Sequence, residues 1–241
     1  MNVDESMTGI LWRRLRYMLT PQFDLYRNIA TQLFGKRVLE VGFGTGFGTL
    51  QLAVSARMIT ACEPDREAVN FAKMVLPLPN VFWVEADITG NARQEPLYDA
   101  VVMVETLEHI ADWRKALTNI HGLLKPGGCL YMTARNRNAD LRRNDLHERE
   151  WSATELANAL GEFFLEVKLY DYTLQNEQTT DTHITPLIAV ARKAGGHGED
   201  IRSDVSKGWE QGRAAQTYTG AGWETHVAVD VGSGAAEQIS H

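Results

Sequence analysis

Residues 37–53, RVLEVGFGTGFGTLQLA, constrain this chain more than any other stretch. A short run, Val38-Leu39-Glu40-Val41, stops at a turn carrying Gly42, Gly44, Gly46 and Gly48. Leu50, Ala53 and Val54 then recur at helix-face spacing. A buried strand, a glycine turn and a helix opening at that turn make an element suited to anions and nucleotides. The turn lets a ligand approach the backbone with no Cβ in the way. The helix N-terminus offers unpaired N–H groups.

The same alternation continues downstream. Residues 58–62 read as a strand ending in Glu63-Pro64-Asp65, and a helix follows with Ala68, Val69, Ala72, Val75 and Leu76 on one face. Residues 81–85 form a third strand running into Ala86-Asp87-Ile88, and 98–104 a fourth, the most apolar, ending in Glu105. The next helix buries Trp113, Ala116, Leu117, Ile120 and Leu124 and stops at Pro126-Gly127-Gly128. Residues 129–134 give a fifth strand, followed by a polar loop over 136–149. Ser152-Ala153-Thr154-Glu155 is a capping box opening a helix through Leu160. Residues 164–170 and 187–191 supply two last strands. Upstream, Thr20-Pro21 caps a helix with Phe23, Tyr26, Ala30, Leu33 and Phe34 on one face, ended by Gly35.

Strands apolar on both faces, alternating with amphipathic helices, predict an α/β fold: one doubly wound parallel sheet covered on both sides. Right-handed crossovers put every strand's C-terminal tip on one edge. Gly42, Glu63, Asp87, Glu105 and Asn136 therefore converge on one crevice.

The reading divides the chain into a cover or lid at 1–20, a domain at 21–193 and a tail at 194–241. The first piece holds Trp12-Arg13-Arg14-Leu15-Arg16-Tyr17-Met18-Leu19, a basic amphipathic segment. It reads as a helix laid over the core, with a lid or a membrane-surface contact as its other uses. The tail holds nine glycines and seven acidic against three basic residues, with no sustained period. A mobile extension is expected there, although Trp209, Tyr218 and Trp223 allow a docked segment.

Bulk composition narrows the function. At 241 residues and 44% hydrophobic content the chain can bury one sizeable core. A net charge of −7 argues against DNA or RNA as a partner. No run reaches the roughly 18 apolar residues of a membrane span, and Asp4 and Glu5 sit where a signal peptide would be basic. The two cysteines, Cys62 and Cys129, lie in apolar runs, which suits a reduced, cytoplasmic setting. No Cys/His spacing suggests a metal site.

The turn itself discriminates among ligands. A dinucleotide fold wants G-x-G-x-x-G, and here the third glycine arrives a residue early. No lysine follows as in a P-loop. Glu63, about 20 residues past the turn, suits two ribose hydroxyls. Asp87 adds an acceptor one strand further out, where an adenine amino group would lie. Two carboxylates and no basic residue at these tips favour a ligand with a ribose, an amino group and a positive centre.

Glu40-Val-Gly42-Phe-Gly44-Thr-Gly46 resembles the E/D-x-G-x-G-x-G turn of class I S-adenosylmethionine-dependent methyltransferases. Glu63 is similar to that family's acidic ribose ligand, with Pro64 beside it, and Asp87-Ile88 to its adenine-contacting pair. Tyr98-Asp99 to Glu105, then Leu107-Glu108-His109-Ile110-Ala111-Asp112, resembles the D-x-V…L-E-H-[VI]-x-D segment of the small-molecule branch. Leu123-Leu124-Lys125-Pro126-Gly127-Gly128 resembles its L-L-K-P-G-G. The likeness covers roughly residues 21–192 and is closest to the group that includes ubiquinone-biosynthesis-type methyltransferases.

The resemblance implies sheet order 3-2-1-4-5-7-6 with one antiparallel strand, and S-adenosyl-L-methionine as cofactor. It implies that the backbone of Gly42, Phe43, Gly44 and Gly46 passes beneath the methionyl and ribose parts while Glu40 orients the amino group. Glu105 and Thr106 would flank the sulfonium. The implied reaction is in-line methyl transfer to an oxygen or nitrogen of a small molecule. An oxygen acceptor must lose a proton, and His147 and His109 are the candidate bases. The arginines at 135, 137, 142 and 143 read equally as an anion-attracting or a solvated face. The fourth strand ends Val104-Glu105-Thr106-Leu107, unlike the Asn/Asp-Pro-Pro-aromatic segment of amino-methylating DNA enzymes. An NAD-dependent oxidoreductase and a non-catalytic cofactor-binding module stand as the alternatives.

Overall fold

The computed structural model describes residues 18–90, 97–139, 147–179, 185–195, 216–219 and 222–225. The chain divides into two units, Met1–Glu199 and Asp200–His241.

In the first unit, α1 (Pro21–Thr31) leads into β1 (Arg37–Val41), α2 (Phe47–Ala53), β2 (Met58–Glu63), α3 (Arg66–Val75), β3 (Val81–Glu85) and β4 (Tyr98–Met103). A 3-10 turn at Leu107–His109 precedes α4 (Trp113–Leu123) and β5 (Leu124–Ala134). Next come α5 (Ala153–Gly161), β6 (Glu166–Tyr170), β7 (Glu177–Gln178) and β8 (Leu187–Arg192). They build one eight-stranded sheet in the order β3-β2-β1-β4-β5-β8-β6-β7. The first five strands pair in parallel, and β8 runs antiparallel between β5 and β6. This is the expected order, with β8 as the inserted seventh strand. The two-residue β7, antiparallel to β6, is an addition too short for any periodicity to register.

The central strands are buried on both faces, so two cores form. Leu39, Val41, Val101 and Met103 pack with α4 and α5. Val38, Ala100 and Val102 pack with α1, α2 and α3. Cys62 and Cys129 are buried and unbonded, on strands that are not neighbours.

Boundaries differ from the sequence reading where packing overrides pattern. The first helix ends at Thr31, and Phe34, expected on its buried face, is 86% exposed. Leu25 and Ile29 join Tyr26, Ala30 and Leu33 in the core instead. The fifth strand begins at Leu124 rather than at 129. Its register with β4 jumps from Tyr98↔Leu124 to Ala100↔Cys129, so the Pro-Gly-Gly stretch is absorbed as an irregularity within the strand. Proline has no N–H to give a ladder, and Gly127 sits at φ 75°, which together explain the jump. At that lower edge Asp99 accepts from Lys125 Nζ at 2.6 Å and from the Arg37 amide at 2.8 Å, which ties β1, β4 and β5 together.

In the second unit, β9 (Gln216–Thr219) and β10 (Gly222–Thr225) form an antiparallel hairpin with Tyr218 opposite Trp223. Regular pairing therefore occurs within a segment expected to lack it. The basic segment 12–17 lies outside the described residues. Among the described residues no helix is long and apolar enough to cross a membrane.

Candidate functional site

The glycine turn carries φ values of 72°, 55° and 77° at Gly42, Gly44 and Gly46. A Cβ on Gly42 would stand 2.5 Å from the Thr106 side chain, so that glycine lets the post-β4 segment close on the turn. A Cβ on Gly44 would meet nothing within 4 Å, because its backbone faces open space. The Gly44 amide donates to Glu63 Oε2 at 3.1 Å, and the Asp65 amide to Glu63 Oε1 at 3.3 Å. One carboxylate thus joins the tip of β2 to the tip of β1.

The tip of β3 is fixed from below. Fully buried Asn119, on α4, donates to the carbonyls of Ile88 at 2.6 Å and Gly90 at 2.9 Å. Asp87 Oδ1 accepts from the Thr89 amide at 2.8 Å. Sequence reasoning missed Asn119. Its one signal was a polar residue on the apolar face of a helix.

Between these tips lies a cleft of about 280 Å³. Gly42, Gly44, Glu63, Pro64, Asp87, Ile88, Glu105, Thr106 and His109 line it, all of them expected at the site. Val41, Cys62, Ala86 and Ile110 line it as well and were missed, being apolar or small neighbours of those tips. Five other expected residues stand outside the lining, among them Asn136, which is buried beyond the tip of β5 with its amide donating to Thr185 Oγ1 at 3.2 Å. Phe43 packs edge-on against Trp83, centroids 4.8 Å apart, and Gly46 fits beneath Leu76 and the same tryptophan. Glu40 is wholly buried on the α1 side of the sheet, where the Tyr26 hydroxyl donates to its Oε1 at 3.0 Å. Burial pushes this carboxyl up to about 7 against the pull of the Thr49 and Tyr26 hydroxyls. His147 meets the site through His109, the two rings edge-on with centroids 5.0 Å apart.

Around those histidines a polar cluster forms. Glu105 holds a left-handed backbone, φ 52°, and its amide donates to Thr133 Oγ1 at 2.7 Å. Burial raises its carboxyl above the usual range. Glu108 is fully buried, and neither carboxylate oxygen meets a hydrogen-bonding partner among the described residues. Burial pushes it up to about 7, with the Glu105 charge adding to the effect.

The described ends of the polar loop after β5, residues 136–139 and 147–149, are tied back to the protein. The Trp151 amide donates to the Arg135 carbonyl, the Arg137 amide to the Trp151 carbonyl, and the Glu148 amide to the Glu108 carbonyl. Arg149 lies 4.2 Å from the Trp151 ring centroid. His147 has a side chain only 7% exposed. Arg135 pairs with Glu150 at 3.7 Å and Arg137 with Glu155, so both guanidiniums are engaged within the protein. The other two arginines of that stretch, at 142 and 143, lie outside the described residues. Among the described residues no Cys/His/Asp/Glu group is arranged to hold a metal.

Comparison with known proteins gives the following. Residues 39–132 match the family described as "Methyltransferase domain". The "Ubiquinone biosynthesis O-methyltransferase" of Vibrio atlanticus is 33% identical over 109 residues, 44% of this chain and 46% of that protein. A Mycolicibacterium smegmatis protein named "Probable S-adenosylmethionine-dependent methyltransferase" is 30% identical over 154 residues, covering 60% of this chain and 57% of that one. The chain spans about half the length of the curated relatives it matches. The N-methyltransferase NodS of Bradyrhizobium japonicum, solved with S-adenosylhomocysteine, superposes with a TM-score of 0.54 at 21% identity over 79% of this chain and 90% of that one. The cyclase SpnF gives 0.55 at 18% identity, over 72% and 82%. At such identities the likeness to solved structures is one of fold.

Proposed function

We propose that this chain carries a class I S-adenosylmethionine-dependent methyltransferase domain and transfers a methyl group to an oxygen of a small-molecule acceptor. The observation that carries the reading is the gathering of Gly44, Glu63 and Asp87 on one cleft. An open position where a Gly44 Cβ would stand fits a ligand lying on the turn backbone. A carboxylate at each of the next two strand tips fits a ribose and an adenine amino group.

In this reading Gly42 and Gly44 lie beneath the methionyl and ribose parts, and Glu63 takes the ribose hydroxyls. Asp87 and Ile88 hold the adenine, beside Pro64. Phe43 and Gly46 support the turn by packing. Glu40 acts from behind it, through β1. Glu105 and Thr106 face the sulfur end. When bound, S-adenosylmethionine supplies a methyl carbon on a good leaving group, open to in-line displacement. The chain's own share is positioning, which removes much of the barrier to joining two reactants, and uptake of the acceptor's proton by a ring nitrogen of His147 or His109. The names of the curated relatives favour oxygen over nitrogen. The negative chain and acidic strand tips disfavour nucleic acid as acceptor.

Two measurements test this. S-adenosylhomocysteine should raise the thermal midpoint while NAD leaves it in place. Labelled methyl from S-adenosylmethionine should enter a component of a metabolite extract. Stabilisation without labelled product would leave a non-catalytic binding module. Stabilisation by NAD alone would favour the oxidoreductase.

A further inference from the structure

We propose that Glu150 is a positioning residue for the transfer, acting through His147: its carboxylate fixes the imidazole in the tautomer protonated at Nδ1 and aims it at the acceptor side of the cleft. The inference rests on the methyl-transfer reading and adds to it a choice between the two histidines and a partner for the one chosen.

Four observations support the assignment. Glu150 Oε1 lies 3.4 Å from His147 Nδ1, three residues away along the loop. The same oxygen lies 3.7 Å from Arg135 Nε, so a guanidinium just past β5 also pairs with the carboxylate. Both side chains are withdrawn from water, at 7% exposure for His147 and 20% for Glu150. The loop bearing them is pinned at both ends. The Glu148 amide reaches the Glu108 carbonyl at 2.8 Å, and the Trp151 amide reaches the Arg135 carbonyl at 2.9 Å. The first bond seats His147 on the 3-10 turn whose last residue, His109, lines the cleft.

The chemistry follows from that placement. A neutral imidazole has one donor and one acceptor nitrogen, and the partner of the donor decides which is which. A carboxylate at Nδ1 makes that nitrogen the donor and leaves Nε2 as the acceptor of a proton. Protonation at Nε2 then places a positive ring against Glu150, which the carboxylate stabilises without itself taking the proton.

The test uses the full-length protein with Glu150→Gln and Glu150→Asp. Three readings are taken on each: the rate of label incorporation into the wild type's strongest labelled product, S-adenosylhomocysteine affinity by calorimetry, and the His147 tautomer by long-range proton–nitrogen NMR at about pH 9. Glu150→Gln is expected to slow incorporation by about 10- to 100-fold, a fraction of what general base catalysis contributes, with the affinity held within about twofold. Glu150→Asp should recover much of the rate, and wild-type His147 should show its proton on Nδ1. An unchanged rate in Glu150→Gln overturns the proposal, as does an equal loss in Glu150→Asp or a rate loss matched by lost affinity. If Glu150→Gln does not fold, the wild-type tautomer decides, and a proton on Nε2 overturns it. If the wild type labels nothing, the methyl-transfer reading fails first.

Discussion

Glu63 reaches from the end of β2 to the Gly44 amide, so the acid assigned to the ribose also braces the turn that would lie beneath it. A ribose diol offers that carboxylate two hydroxyl donors beside the amides of Gly44 and Asp65. Removing it strands the buried hydroxyls of a bound ligand. Glu63→Ala should therefore cost about 1–3 kcal/mol of S-adenosylhomocysteine affinity, read by calorimetric titration; an unchanged affinity would remove Glu63 from the site. Glu40 makes a different prediction, because it never meets the cleft. Its carboxyl titrates at about 7 when folded against 4.5 as an ordinary side chain. Between those values the folded state holds a proton that the unfolded chain has released. Stability contributed by the protonated form is complete below the lower value and declines as pH rises through the higher one, by roughly 3 kcal/mol. Glu108 acts in the same direction over the same window. Unfolding free energy of the ligand-free protein should fall between about pH 5 and pH 7.5, and Glu40→Gln should flatten part of that slope while keeping an acceptor for Tyr26. A slope identical to wild type in Glu40→Gln would contradict the assignment.

Helices α1 and α2 meet where a side chain and its absence fit together. A Cβ on Gly48 would stand 2.3 Å from the Tyr26 ring, so the second helix needs hydrogen there to admit the first. Tyr26 is in turn the donor to Glu40, and its displacement would leave a buried acid without that bond. Gly48→Ala gains helix propensity but overpacks this seam, and overpacking outweighs the gain. The expected result is a loss of about 1–3 kcal/mol in urea unfolding. A neutral or stabilising outcome would mean the two helices slide apart at no cost. In sequence Gly48 looked like one more glycine of the ligand turn. Spacing along a chain reports which residues share a face, and it is silent on what that face meets. The same limit explains Phe34, which kept helical period after the helix had ended, and the Pro-Gly-Gly stretch, which sits inside a strand by breaking register. The large strands were legible because apolar runs recur between amphipathic helices from 37 to 134, whereas the strand order came from the family resemblance and not from the pattern.

At the scale of the whole chain, the site was legible in proportion to how locally it is built. Gly42 and Gly44 follow β1, Glu63 ends β2, and Asp87 and Glu105 follow β3 and β4, so finding the strands found them. The amide of Asn119 acts on the carbonyls of Ile88 and Gly90 in another element, and Glu108 is buried by packing across the fold; no local pattern announces either. The tail poses the converse problem. Its lack of period suggests a mobile extension with room for a docked segment, and Tyr218 and Trp223 stand opposite each other in a four-by-four hairpin. Those two strands pair with each other. All eight strands, both cores and every lining residue of the cleft belong to the unit Met1–Glu199. A unit with its own core and no shared strands can fold by itself. A chain ending at Glu199 should therefore unfold cooperatively, with a midpoint within about 2–4 °C of the full chain's, a shift worth about 1 kcal/mol in a domain of this size. It should also show the same rise with saturating S-adenosylhomocysteine. If the truncated chain folds but loses that rise, residues 200–241 contribute to the ligand site. If it fails to fold, the first unit depends on a part of the chain from which it takes no strand.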